Sequence, residues 1–118
     1  MRAAGAAFEQ RACMELQRAG LKLLERNYTT RYGEIDIVML DRDTVVFVEV
    51  RHRWSGSRGD AATSVSATKQ AKLIRTAEMW LAAHPQHGQR ACRFDVVSYD
   101  GPADRAQMQW WRSAFDAI

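Results

Sequence analysis

Two segments that are otherwise apolar contain charged residues whose types could do chemistry. The segment GEIDIV contains Glu34 and Asp36, and the segment FVEVRHR contains Glu49 and Arg51. A carboxylate among apolar side chains costs several kcal/mol unless a cation, a metal ion or good hydrogen bonds replace its lost hydration. Each of these carboxylates therefore needs a partner.

The two segments predict a β-hairpin. They belong to the strands EIDIVML and TVVFVEVRH, which are rich in Val, Ile and Phe and are joined by the turn DRD. Because side chains alternate between the faces of a strand, Glu34 and Asp36 should share a face with Val38. Strand pairing can then bring Asp36 next to Glu49, with Arg51 beside Glu49 on the same face.

Two converging carboxylates repel each other, and a divalent cation removes the repulsion. Oxygen ligands favour Mg²⁺ or Mn²⁺, which can polarise a phosphodiester and activate a water for in-line attack. Arg51 could stabilise the charge that develops on the phosphate. The alternative is structural: Glu49 and Arg51 form an ion pair, and Glu34 with Asp36 forms a polar end of the hairpin.

A third acid favours the metal site over the ion pair. Phe8, Ala12 and Leu16 recur at helical spacing between Ala3 and Ala19, and Gly20 is a plausible stop. Glu9 lies on the edge of this buried stripe. Three inward carboxylates carry more negative charge than a single arginine can neutralise.

The remaining segments complete an α/β pattern. LKLLERNY precedes the hairpin as a strand, a polar and mobile loop RWSGSRGDAATSV follows it, and a second helix runs from Ser64 or Ser66 to HPQHG. CRFDVVSYD is a further strand, and MQWW an edge strand. Of the adjacent Trp110 and Trp111, only one is expected to face the core. We predict one α/β domain over residues 1–118, with a mixed central sheet flanked by helices.

Composition limits the class of protein. A chain of 118 residues with 47% apolar residues can bury one hydrophobic core, and a net charge of +3 is compatible with a polyanionic partner. Cys13 and Cys92 have no metal-ligand spacing. No signal peptide or membrane span is indicated, so a reduced, cytoplasmic protein is expected.

Motifs lie in order along most of the chain: Gly5 with Glu9 and Ala12, then GEIDIV, FVEVRHR, Lys69 with Gln70, RFDVV, and Ala114 with Phe115. Together they resemble the motifs of the YraN-like proteins. This group is placed among the PD-(D/E)XK nucleases, close to archaeal Holliday-junction resolvases, and the resemblance implies a restriction-endonuclease-like αβββαβ core.

The resemblance also implies a site that uses Mg²⁺ or Mn²⁺. Arg51 occupies the position of the family's usual lysine, and Ile35 that of the proline before the aspartate. Because arginine cannot act as a base, either the water on the ion is deprotonated without this side chain or catalysis is weak. The implied catalytic residues are Glu9, Asp36, Glu49, Arg51 and Gln70, and the implied metal ligands are Asp36, Glu49 and the carbonyl of Val50.

Basic residues near the expected site could contact a nucleic-acid backbone. Three of them recur every three residues on the second helix, and the others follow the third strand together with a tryptophan that could stack on a base. Taken alone, a charged residue at such a position is more often an ordinary surface residue. The predicted nucleic-acid contacts are Arg53, Trp54, Arg58, Lys69, Lys72 and Arg75.

The sequence thus predicts a metal-dependent endonuclease or a Holliday-junction-resolvase-like phosphodiesterase. Its substrate would be nucleic acid, with DNA, including branched DNA, the favoured form, and a homodimer would supply two active sites. Two alternatives stay open. One is a nuclease-fold protein that binds DNA or RNA with weak or no catalysis, and the other is a protein-interaction domain.

Overall fold

The structure is a computed structural model that describes residues 3–53 and 65–116. The loop at residues 54–64, for which mobility is predicted, lies outside the described residues, and so do Trp54 and Arg58. In the part of the chain that is described, no helix is long and apolar enough to cross a lipid bilayer.

The element order confirms the predicted α/β class. The helices are α1 (Ala3–Arg18) and α2 (Ala67–Ala83), with short 3₁₀ turns at Pro85–His87 and Ala103–Arg105. The strands are β1 (Lys22–Thr30), β2 (Gly33–Asp41), β3 (Thr44–Arg53), β4 (Cys92–Asp100) and β5 (Gln107–Phe115). The result is a single α/β domain whose αβββαβ order is consistent with a restriction-endonuclease-like core, and β5 follows it as the expected edge strand.

The five strands form one mixed sheet in the order β1-β2-β3-β4-β5. The β3–β4 pair is parallel and the other pairs are antiparallel. A parallel pair needs a long crossover connection, and α2 supplies it. Each helix covers one face: Leu16 of α1 packs in a layer with Val46, whereas Trp80 of α2 packs in a second layer with Phe47.

The buried face of α1 and the start of α2 both follow from the local sequence. Phe8, Ala12 and Leu16 of α1 are buried, as their spacing predicts. Ser66 caps α2, because its side chain accepts a hydrogen bond from the backbone N–H of Lys69. This cap fixes where the first turn of α2 begins.

Side-chain alternation is interrupted in β2. Ile35 and Val38 pack in the layer that contains α2, whereas Ile37 and Met39 pack in the layer that contains α1. Strict alternation would place Ile35 on the same side as Ile37. The interruption therefore falls at Asp36.

The two tryptophans of β5 correct the expectation that only one faces a core. Trp110 packs against the α1 layer and Trp111 against the α2 layer. Both are partly buried because the sheet is covered on both faces and so has two cores.

Asp95 joins β4 to the edge strand β5. Its side chain is fully buried and accepts hydrogen bonds from the Arg93 guanidinium at 3.0 Å, the Trp110 indole at 2.9 Å and the Ser113 backbone N–H at 3.0 Å. Arg93 also pairs with Asp41 at 2.9 Å. One buried carboxylate thus satisfies donors from both strands.

Replacing Asp95 with alanine is expected to lower the free energy of unfolding by about 3 kcal/mol or more, because buried donors lose a charged acceptor. Urea denaturation would measure this. Asp104→Ala, which removes an exposed ion pair with Arg105, should change stability by no more than about 0.5 kcal/mol. Equal effects of the two substitutions would contradict the structural role of Asp95.

Candidate metal and phosphate site

Three carboxylates meet beside α1. Glu9, Glu34 and Asp36 each place an oxygen within 4.8 Å of the others. Glu9 and Asp36 are buried, with 3% and 5% of their surfaces exposed, and Glu34 is half-buried. We call these three residues the acid cluster.

Asp36 is the most constrained member of the acid cluster. Its carboxylate accepts a hydrogen bond from the Val50 backbone N–H at 2.9 Å, and it hydrogen bonds with the Glu9 carboxyl group. Asp36 therefore lies on the α1 side of the sheet. The prediction that it shares a face with Val38 is wrong, because alternation breaks at this residue.

The pKa of Asp36 is raised from 3.8 to about 8. Burial is the largest cause, followed by the negative charge of Glu49, while the hydrogen bond from Val50 lowers the pKa in part. Glu9 raises the pKa further. A hydrogen bond between two carboxyl groups requires a proton, and the raised pKa of Asp36 keeps a proton on this residue near neutral pH when no cation is bound.

Glu49 lies on the opposite side of β3, toward α2. One of its oxygens is 3.4 Å from the Lys69 ammonium. Burial raises the pKa of Glu49, the charges of Lys69 and Arg51 partly offset this, and the charge of Glu34 raises it again. Glu49 thus interacts with the acid cluster while its nearest cation comes from α2.

The hairpin register explains this geometry. The β2–β3 pairs run from Asp41 with Thr44 to Ile37 with Val48. One further step would place Asp36 opposite Glu49, as the sequence predicts. Instead the Val50 N–H donates to the side chain of Asp36. The two carboxylates therefore approach each other from the two faces of the sheet, near enough for Glu49 to raise the pKa of Asp36.

A cavity of about 410 Å³ opens beside Glu49. His52 points away from it toward α1, where its ring stacks on Phe8 and its Nε2 is 2.8 Å from the Gly101 carbonyl. These contacts give His52 a structural role on the α1 side of the sheet. The residues that line the cavity are Glu49, Val50, Arg51, His52, Ser66 and Lys69.

A larger cavity of about 610 Å³ lies at the other end of β2, beside Asp41 and Arg42. Arg93 lines it and already pairs with Asp41 and Asp95. It is remote from the acid cluster, so size alone does not identify the site.

The other predicted site residues have diverse partners. Gln70 donates to the Val65 carbonyl at 3.0 Å, which supports the first turn of α2 that carries Lys69. Arg53 pairs with Asp100 at 2.9 Å, so its charge is largely neutralised. Lys72 and Arg75 lie on α2, and Lys72 lines a small cavity with Glu34.

The sequence analysis named Glu34 and Lys69 but did not predict the contacts that they make. Glu34 joins the acid cluster although the sequence places it only at a polar hairpin end; its spacing of two from Asp36 is the signal that favours a common ligand set. Lys69 was predicted as a nucleic-acid contact, and its pairing with Glu49 was not predicted. Local spacing contains no signal for a contact between two distant segments.

Comparison with known proteins gives the family. The model for "Uncharacterised protein family UPF0102" matches residues 8–99. The chain belongs to this family. A UPF0102 protein of Stutzerimonas stutzeri is 47% identical over 113 residues, which are 96% of this chain and 94% of the relative. One from Nitrosomonas europaea is 50% identical over 112 residues, or 95% and 92% of the two chains. The resemblance to YraN-like proteins is thereby confirmed.

For this UPF0102 member, the raised pKa of Asp36 predicts a pH-dependent stability in EDTA. Folding favours the protonated side chain, so Asp36 makes its full contribution to the free energy of unfolding below about pH 4. This contribution is lost as the pH rises toward 8, by at most about 1.4 kcal/mol per pH unit. Asp36→Asn should remove this slope and be the more stable protein at pH 8. Thermal melts at pH 4 to 8 would measure it.

Asp104→Asn is the matched control, since Asp104 is exposed, and it should melt with the same pH dependence as the wild type. If Asp36→Asn also kept the wild-type slope, Asp36 would not be the group responsible.

Proposed function

We propose that this protein is a metal-dependent phosphodiesterase that cleaves nucleic acid, either an endonuclease or a Holliday-junction-resolvase-like enzyme. The observation that carries the proposal is the acid cluster, in which Asp36 is buried against Glu9 with a pKa near 8. A divalent cation bound between these carboxylates would remove their mutual repulsion and so stabilise the fold.

The acid cluster has the chemistry that Mg²⁺ or Mn²⁺ requires. Three carboxylate oxygens within 4.8 Å of one another are close to the separation of about 3 to 4 Å between ligands of one such ion. Hard oxygen donors select these metals over thiolate-binding ones. Glu9, Glu34 and Asp36 would hold the ion.

The resemblance adds Glu49 and the Val50 carbonyl as ligands. Asp36 belongs to both ligand sets, and its interactions with Glu49 and with the Val50 backbone N–H link them. We therefore propose that Asp36 is the central ligand of the metal site. When bound, the ion would polarise the phosphodiester and lower the pKa of a coordinated water.

Two cations of the protein would meet the substrate phosphate at the cavity beside Glu49. Arg51 can hold a phosphate bidentately and oppose the charge that grows in the transition state. Lys69 is a compact cation fixed at 3.4 Å from Glu49. Gln70 and Ser66 position Lys69 by fixing the start of α2.

The superfamily assignment is part of this proposal. The αβββαβ order supports it, as does the position of the acids where β2 and β3 separate. Cleavage of both strands of branched DNA would require a homodimer, because one chain has one acid cluster among its described residues.

The deciding experiment is cleavage of a four-way junction, a flap, a single strand and a duplex with Mn²⁺ or EDTA. We expect cleavage with Mn²⁺ only, and a loss of at least about a hundredfold in Asp36→Ala. Mn²⁺ should also raise the melting temperature of the wild type but not of this variant.

The same assay separates the alternatives. Retention of nucleic acid on a gel without cleavage would replace the enzyme with a binding protein of nuclease fold. Absence of binding to every nucleic acid at low salt would leave a protein-interaction domain.

Arg51→Lys is expected to preserve cleavage within about tenfold or to increase it, because lysine keeps the charge and can exchange a proton. Single-turnover rates with Mn²⁺ would measure the change. If this substitution abolished cleavage, the bidentate contact of Arg51 would be the essential one, since lysine cannot reproduce it.

A further inference from the structure

Two arginines converge on one tyrosine in the turn between β1 and β2. Arg31 donates to the Tyr32 hydroxyl at 3.1 Å, and Arg75 of α2 donates to the same oxygen at 3.2 Å. Both guanidinium groups also lie against the Tyr32 ring, at 5.1 and 4.4 Å from its centroid. We call Arg31 and Arg75 the arginine pair.

The arginine pair is a concentration of like charge. Because both groups contact one oxygen, they are next to each other, and two adjacent cations repel. No carboxylate among residues 3–53 and 65–116 forms an ion pair with Arg31 or Arg75. A tyrosine hydroxyl is neutral and leaves this repulsion in place. An anion with several oxygens would remove it.

The location of the arginine pair indicates which kind of anion it would bind. Tyr32 is two residues from Glu34, so their Cα atoms are no more than about 7 Å apart. Glu34 also lines a small cavity with Lys69 and Lys72 of α2. Cations thus extend from the cavity beside Glu49, along α2, to the β1–β2 turn.

We propose that the arginine pair binds a backbone phosphate of the nucleic acid, next to the phosphodiester that is cleaved. The identity of this ligand depends on the proposed function. Guanidinium groups match the geometry of phosphate oxygens, and two of them can share one phosphate. The Tyr32 hydroxyl is a positioning group, because it holds both guanidiniums before the phosphate arrives.

The test is binding of a labelled oligonucleotide in EDTA, measured by fluorescence polarisation at several salt concentrations. Arg31→Ala and Arg75→Ala should each weaken binding several-fold and reduce the slope of log K against log salt by up to about 0.9 for a duplex or 0.7 for a single strand. Since both arginines contact one phosphate, the double variant should lose less than the two single losses combined.

Tyr32→Phe separates positioning from charge. It keeps the aromatic ring and both cations but removes the shared acceptor, so we expect weaker binding with an unchanged salt slope. Thermal melts of each variant would confirm that the fold is retained. Arg112→Ala is the matched control: Arg112 is exposed and lies 4.0 Å from the Trp110 ring centroid, but it lines the cavity remote from the acid cluster. It should bind as the wild type does.

The outcomes distinguish this inference from the function on which it depends. If the wild type binds and both single variants bind equally well with the same salt slope, the phosphate contact is overturned and the nuclease proposal stands. An equal loss in Arg112→Ala would also overturn it, because general charge would then explain binding. If the wild type binds no nucleic acid even at low salt, both proposals are overturned.

Discussion

The repulsion among buried carboxylates at the open end of the β2–β3 hairpin is the constraint on which the rest of the site depends. Asp36 cannot remain ionised beside Glu9 and Glu49 without a cation, and its pKa near 8 expresses that cost. The fold lowers part of this cost through the hydrogen bond from the Val50 N–H and through a proton retained on Asp36. The remainder is free energy that the binding of a divalent ion would recover.

The covered sheet explains why acids and cations reach this place from different directions. Helix α1 brings Glu9 to one face, and α2, which must cross the other face to connect the parallel strands β3 and β4, brings Lys69. The hairpin end lies between them. Among the described residues, Lys69 of α2 pairs directly with Glu49, and Lys69 and Lys72 line a small cavity with Glu34 of the acid cluster.

Sequence reasoning could predict the elements and the inward acids, because apolar periodicity marks the strands and places Glu9, Asp36 and Glu49 within buried stripes. It could not predict the break in alternation at Asp36. A strict two-residue alternation assumes regular pairing between strands, whereas here a backbone N–H of β3 donates to the Asp36 side chain. It also missed the pairing of Lys69 with Glu49, which depends on how α2 docks and not on local spacing.

The position of Lys69 bears on whether Arg51 signals lost chemistry. The argument for a non-catalytic protein depends on the absence of a lysine from the strand that carries Glu49. The structure supplies an ammonium group at the same carboxylate from another element, at 3.4 Å. The electrostatic field at a bound phosphate depends on where the charged groups lie in space. It does not depend on which segment of the chain provides them. Under the proposed function, Arg51 would be the bidentate phosphate contact and Lys69 the amine, so two residues would divide the roles that the resemblance gives to one lysine of the strand.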